Sequence, residues 1–374
     1  MHCVSPLRRL LVVTALVLLN TTQTRSTAAP RTLVWERWQD LPEPAGLKGM
    51  YAGVNRGWII LAGGSNFPVP RSAGGTKSYS REIYVRPATA ASRHVGWSVD
   101  RVTLPIGLAE GASVATDHGV ACVGGQSSAG PVADAFILFW DGKGSTVRQR
   151  RLPELPAACA NAAAVYWDGS VYVAGGESNG QGLAHFWKLD LAAAMAAPND
   201  TAWKSLPMWP GPRRFGAVLS VLRVQKREQL FLFGGRTQAV GPAVLEDYLQ
   251  DAYRFDPAAG RWTELGPMPH RALLAASMRL DASRVAILGG SDGHSLDRMA
   301  ELGERYRIPD RIMIYDAEAD RWSAGGRMPI GVVAPAVVEL DSGWLVAGGE
   351  YSPGLRTAQV YQVVLSSGQS QRNE

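Results

Sequence analysis

Glu350 and Arg356 stand six residues apart, separated by a tyrosine, a serine, Pro353, Gly354 and a leucine. A carboxylate accepts or delivers a proton, and a guanidinium grips another carboxylate through two parallel hydrogen bonds. Held on one loop, the pair can recognise an organic acid and move a proton on it. The apolar run 344–347 ends in Gly348-Gly349, immediately before the glutamate. A buried strand therefore delivers both groups to its end. A surface ion pair would show the same spacing. Glu177 follows Gly175-Gly176 in the same way, so the local pattern recurs without requiring function.

That recurrence fixes the architecture. Gly-Gly pairs fall at 63-64, 124-125, 175-176, 234-235, 289-290 and 348-349, in steps of 61, 51, 59, 55 and 59 residues. Each ends a short apolar run, and after most of them comes a Trp-bearing strand (Trp97, Trp203, Trp262, Trp322) and then a Pro-containing turn. A repeat of about 50 residues with four strands per unit resembles the Kelch pattern. Six copies predict an all-β, six-bladed propeller. The glycines let the end of each second strand pass close to neighbouring backbone, and the tryptophans pack between blades. After Arg356 one further strand fits, 357–364. The outermost strand of the last blade must then come from residues 32–41, with Trp35 and Trp38, which closes the ring and covers an edge.

Composition agrees with this reading. The chain has 374 residues, 41 glycines and 12 tryptophans, which suits turn-rich β structure. Residues 1–29 read as a secretory signal: Arg8 and Arg9, an apolar core at 10–19, then small residues at 27–29. Ten apolar residues fall short of the roughly 20 that span a bilayer. The expectation is a propeller over 30–366, a polar tail at 367–374, and a periplasmic or secreted protein that leaves the membrane once the signal is removed. Residues 1–29 carry three arginines and no acid, so 35 cations face 33 acids in the rest, a charge of +2. No basic block points to nucleic acid. Cys122 and Cys159 read as small buried hydrophobes rather than a metal site.

Insertions mark the functional face. Residues 65–80 follow the first Gly-Gly and are expected to cover an opening. Residues 291–309 follow the fifth, with a short helix around 297–305. The positions after the Gly-Gly pairs are expected to line the axial mouth: Asn66, Gln126, Glu177, Arg236, Asp292 and Glu350. Lys48, Arg214 and His270, in the turns before innermost strands, are weaker candidates. Asp292 and His294 suggest a metal pair less than they suggest a solvated loop.

The stretch 344–360, WLVAGGEYSPGLRTAQV, resembles the signature of the N-acetylneuraminate epimerases, Kelch-propeller sialic acid mutarotases. Residues 66–79, above all Lys77-Ser78-Tyr79, are similar to a second stretch of that family. The glutamate- and arginine-bearing blade is last here and mid-chain in familiar members, so the chain looks cyclically permuted. Equivalent blades whose ends meet tolerate that order. The resemblance implies a periplasmic enzyme that interconverts the α and β anomers of N-acetylneuraminate, with Glu350 and Arg356 as its functional residues. Asn66, Lys77, Tyr79, Glu177, Arg236, Asp292 and His294 are the substrate-binding candidates.

Mutarotation opens a hemiketal and recloses it. One group takes the anomeric hydroxyl proton while another protonates the ring oxygen. Glu350 suits the first task. Arg356, always charged, suits a grip on the sugar acid's carboxylate. Water, His294 and Tyr79 remain open for the ring-oxygen acid. No metal or organic cofactor is called for, and the protein is expected to act on a small sugar acid as a monomer or weak dimer. The rival reading is a non-catalytic propeller that binds carbohydrate or protein. A sialidase is disfavoured, because no repeated Ser-x-Asp-x-Gly-x-x-Trp boxes occur.

Overall fold

The computed structural model describes residues 32–89, 94–239 and 244–366. The expected signal at 1–29 and tail at 367–374 lie outside the described residues. Residues 32–366 form one compact unit. Six four-stranded antiparallel sheets make the six blades. Blades 1 to 5 each run in chain order from an innermost to an outermost strand. Blade 1, for example, is Tyr51–Asn55, Trp58–Ala62, Ile83–Pro87 and Ser98–Val99. Blades 2, 3, 4 and 5 begin at Ala112–Thr116, Ala163–Trp167, Val218–Val224 and Ala276–Arg279.

Blade 6 has Ala336–Leu340, Gly343–Ala347 and Val360–Leu365, and the N-terminal strand Leu33–Trp38 completes it. The six rungs run from Leu33↔Leu365 to Trp38↔Val360. The closure expected from the sequence is present.

Blades stack face to face, so second strands are buried on both sides and read as continuous apolar runs. Along Gly119–Val123, Val120 and Cys122 pack with Ile60 and Ala62 of blade 1. The alternate residues Ala121 and Val123 pack with Val171 and Val173 of blade 3. Cys122 and Cys159 are free, buried thiols in different clusters. Trp35, Trp262 and Trp322 pack on the preceding blade; Trp322 meets Phe233 at 5.4 Å between ring centroids. Blade 2 carries Val147 at the corresponding place.

The Gly-Gly pairs act as expected. The second glycine's N–H donates to a backbone carbonyl of the next blade in all six, as Gly64 does to Leu108 at 2.8 Å and Gly349 to Leu47 at 2.8 Å. A Cβ on the first glycine would collide with that same carbonyl, at 2.2 Å for Gly63.

Around the axis, the residue two before each innermost strand has left-handed backbone: Gly49, Glu110, Asn161, Gly216, Leu274 and Ala334, with φ from 47° to 68°. Each N–H donates to the carbonyl of the equivalent residue one blade back, and Gly49 donates to Ala334, so the hydrogen bonds close a ring. This ring lines an axial cavity of about 250 Å³. No helix among the described residues is long and apolar enough to cross a membrane.

Candidate active site

Glu350 and Arg356 sit on a two-stranded ribbon, Glu350–Ser352 against Leu355–Arg356, and are register partners in it. Pro353-Gly354 makes the turn. Their contact is an ion pair, Arg356 Nη1 to Glu350 Oε2 at 2.9 Å. The alignment is too poor for a hydrogen bond, so buried Nη1 has no hydrogen-bond partner among the described residues. The Arg356 side chain is only 3% exposed. Its guanidinium lies over the Phe67 ring at 4.7 Å, and Nε donates to the Ser65 carbonyl at 3.4 Å. Loop 65–80 therefore seals Arg356 from above. Arg71 of that loop packs where a Gly354 side chain would stand, and Ser72 donates to Glu304 of the blade 5 insertion. The loop covers Arg356 and the Pro353-Gly354 turn.

From Glu350 the charges alternate along a row. Lys48 Nζ lies 3.5 Å from Glu350 Oε2 and 3.4 Å from Glu110 Oε1. Lys77 Nζ lies 2.8 Å from the same Glu110 oxygen. The row Arg356, Glu350, Lys48, Glu110, Lys77 joins blades 6, 1 and 2, and Glu110 also lines the axial cavity. Three cations face two carboxylates, which leaves one positive charge for an anionic ligand. Burial opposes charge on Glu110, but Lys48 and Lys77 outweigh it and hold the carboxyl down at about 2. Burial likewise opposes charge on Lys48, yet Glu350 and Glu110 raise its pKa. For Lys77 and Arg356 burial wins and lowers the value, despite Glu110 and, for Arg356, also Glu350.

Tyr79 borders this row; Lys77 Nζ is 4.9 Å from its ring centre, and burial raises its phenol. Glu177 is the blade 3 equivalent of Glu350, three blades round the ring. It accepts a 2.8 Å hydrogen bond from the Asn161 amide, and burial raises its pKa.

Other candidates stand elsewhere. The residues that pair back across the mouth are Ser65, Gln126, Glu177, Arg236, Ser291 and Glu350. Asn66 and Asp292 are thus one residue past the lining position, and a one-residue shift on extended backbone turns the side chain away. Asn66 is buried on the rung with Ser78. Arg236 lies over the Tyr248 ring and 3.7 Å from Asp247 of its own loop. Arg214 is wholly buried, forked onto Asp251. Asp292, His294 and His270 line a separate cleft with Arg271 and Leu296. There His294 Nδ1 meets Asp292 at 2.6 Å, and Arg311 meets it at 3.2 Å. The expected helix next to this cleft is present as a short run of helical turns, Leu296–Arg298, Met299–Leu302 and Gly303–Arg305.

Glu110 and Asn161 were not among the expected residues. Their signal was available: each falls in the step of the repeat where Gly49 and Gly216 stand, a place that demands left-handed backbone.

A family model described as N-acetylneuraminate epimerase matches residues 152–302. The N-acetylneuraminate epimerase of Yersinia pestis (strain Pestoides F) is 29% identical over 235 residues, 56% of each chain. That of Yersinia enterocolitica serotype O:8 is 27% identical over 57% of each chain. That of Haemophilus influenzae (strain PittEE) is 27% identical over 56% of this chain and 58% of its own. Over this part of its length the chain is similar to the N-acetylneuraminate epimerases. It spans little more than half the length of these epimerases in the match. The stretch matched by the epimerase model holds Glu177, Arg236, Asp292 and His294. Glu350, Arg356, Lys48, Lys77 and Glu110 fall outside it.

Proposed function

We propose that the chain is a mutarotase that interconverts the α and β anomers of N-acetylneuraminate, exported to the periplasm or beyond and serving sialic acid uptake. The observation that carries this reading is the ion pair of part-exposed Glu350 with buried Arg356 within a row of net charge +1. A sialic acid presents one carboxylate on its anomeric carbon, so the groups that hold the carboxylate also stand beside the reacting bond. The permuted blade order is consistent with a colinear match that stops short of the full ring.

In the reaction, Glu350 accepts the anomeric hydroxyl proton as the ring opens. Lys48, 12% exposed and facing both carboxylates, supplies positive charge for the substrate carboxylate. Arg356 is covered, and its nearest partner is Glu350. It acts by fixing that carboxylate's position and by adding charge behind it. Rotation about the bond next to the opened carbonyl then presents its other face, and closure gives the second anomer. The pair needs to supply only general acid–base help, worth about 10²–10⁴ in rate. Dissolving a single anomer of N-acetylneuraminate and following exchange by proton NMR tests the reading. Exchange faster than in buffer alone supports it, and exchange at the buffer rate contradicts it.

A further inference from the structure

The group that protonates the ring oxygen is not settled by Glu350 and Arg356. The charged row contains three cations, and their surroundings differ. Arg356 is sealed by Phe67 and Glu350. Lys48 lies between two carboxylates at 3.4 and 3.5 Å, and its side chain is 12% exposed. Among the described residues Lys77 has a single carboxylate partner, Glu110 at 2.8 Å, and it is the most open of the three at 27%. His294 belongs to the cleft between the blade 4 and blade 5 loops.

We propose that Lys77 is the acid that protonates the ring oxygen, and that Glu110, which lines the axial cavity, is the positioning residue that holds its ammonium. The assignment rests on the mutarotase reading above. The geometry supports it in three ways. Lys77 is the most exposed member of a row that holds the proposed base, Glu350, on the far side of Lys48 and Glu110, so a sugar lying along the row meets both. Its single partner leaves ammonium protons free to turn to a ligand, since a lysine has three. Glu110 is fixed through its backbone: its N–H donates to Gly49 and its carbonyl accepts from Asn161 in the axial ring. Burial also lowers the Lys77 pKa, which makes the ammonium a better proton donor than a solvated lysine.

The step balances. The bond between the anomeric carbon and the ring oxygen breaks, its electron pair goes to the ring oxygen, and Lys77 delivers the proton there. The anomeric hydroxyl gives its proton to Glu350 as the carbonyl forms. Closure on the other face returns one proton to Lys77 and one from Glu350 to the new hydroxyl. Both groups end as they began.

The test uses the full chain, with N-acetylneuraminate exchange by NMR and binding by calorimetry. Lys77→Met is expected to lower kcat on the order of 100-fold while ligand still binds. In Lys77→Ala, added methylammonium restores rate, and in Glu350→Gln it does not. Glu110→Gln removes the negative charge facing Lys77 and leaves Lys48, Arg356 and Tyr79 in place. The high-pH limb of kcat then moves to lower pH, a shift that a merely structural role would not produce, and Glu110→Asp moves it back. Wild-type catalysis with Lys77→Met at full rate, or without amine rescue, overturns the assignment alone. Wild-type exchange at the buffer rate overturns the mutarotase reading itself.

Discussion

Glu350 and Arg356 are paired residues on opposite strands of one short ribbon, and their side chains meet at 2.9 Å. A six-residue spacing with Pro353-Gly354 between returns the chain upon itself. That is why two groups recognisable in the sequence become neighbours in space. The pair is fixed by backbone rather than by side-chain reach, so it is formed before any ligand arrives.

Replacing Glu350 by Gln is expected to remove the base and keep the shape. Anomer exchange should fall by about 10²–10⁴-fold. Calorimetric binding of N-acetylneuraminate should persist, and a binding-only propeller would show no rate to lose.

Arg356→Met leaves Glu350 with Lys48 alone in a buried setting. Breaking a buried pair from one side costs about 3–5 kcal/mol, and the lower end applies because Glu350 is part-exposed. Chemical denaturation measures the loss. Arg356→Lys should restore much of the stability but less of the activity, because a flexible ammonium orients Glu350 less well than the guanidinium.

The architecture was legible because it rests on backbone demands that only certain residues meet. Gly63 and its equivalents have positive φ and touch a carbonyl of the next blade, so glycine recurs and the period shows. The closing strand was legible because blade 6 lacked a Trp-bearing partner. The site was legible only where it is local. Glu350 and Arg356 share one ribbon, whereas Glu110 at the start of blade 2 reaches Lys77 and Lys48 of blade 1 through the stacking of neighbouring blades, and the repeat shows the position of Glu110 but not these contacts. Asn66 and Asp292 were misplaced by one residue, because the Gly-Gly pair fixes where the strand ends but not which following side chain faces inward. His294 was misplaced because a long insertion carries its residues to a separate cleft.

Two glycine substitutions should separate conformation from contact. Gly57→Ala meets no atom within 4 Å, and its cost is that of left-handed backbone, about 1–2 kcal/mol. Gly63→Ala has the same φ problem and drives its Cβ to 2.2 Å from the Leu108 carbonyl. The second variant should unfold at a clearly lower temperature than the first.

Acid stability should depend on Glu110. Its folded pKa is depressed to about 2 by Lys48 and Lys77, below the usual value of about 4.3 in an unfolded chain. The stabilisation is therefore complete above about pH 5 and is lost as pH falls toward 2. Urea midpoints measured across that range should decline more steeply for the wild type than for Glu110→Gln.

Deleting residues 32–38 should expose the edge of Val360–Leu365, whose backbone now pairs with Leu33–Trp38. Unpaired edges invite association. A lower melting temperature together with self-association in size-exclusion chromatography is the expected outcome.

The most direct measurement follows a single anomer of N-acetylneuraminate by proton NMR with wild-type protein and with Glu350→Gln. The account predicts rapid exchange with the first and near-buffer exchange with the second, both proteins binding the sugar. Equal rates for the two proteins would contradict it.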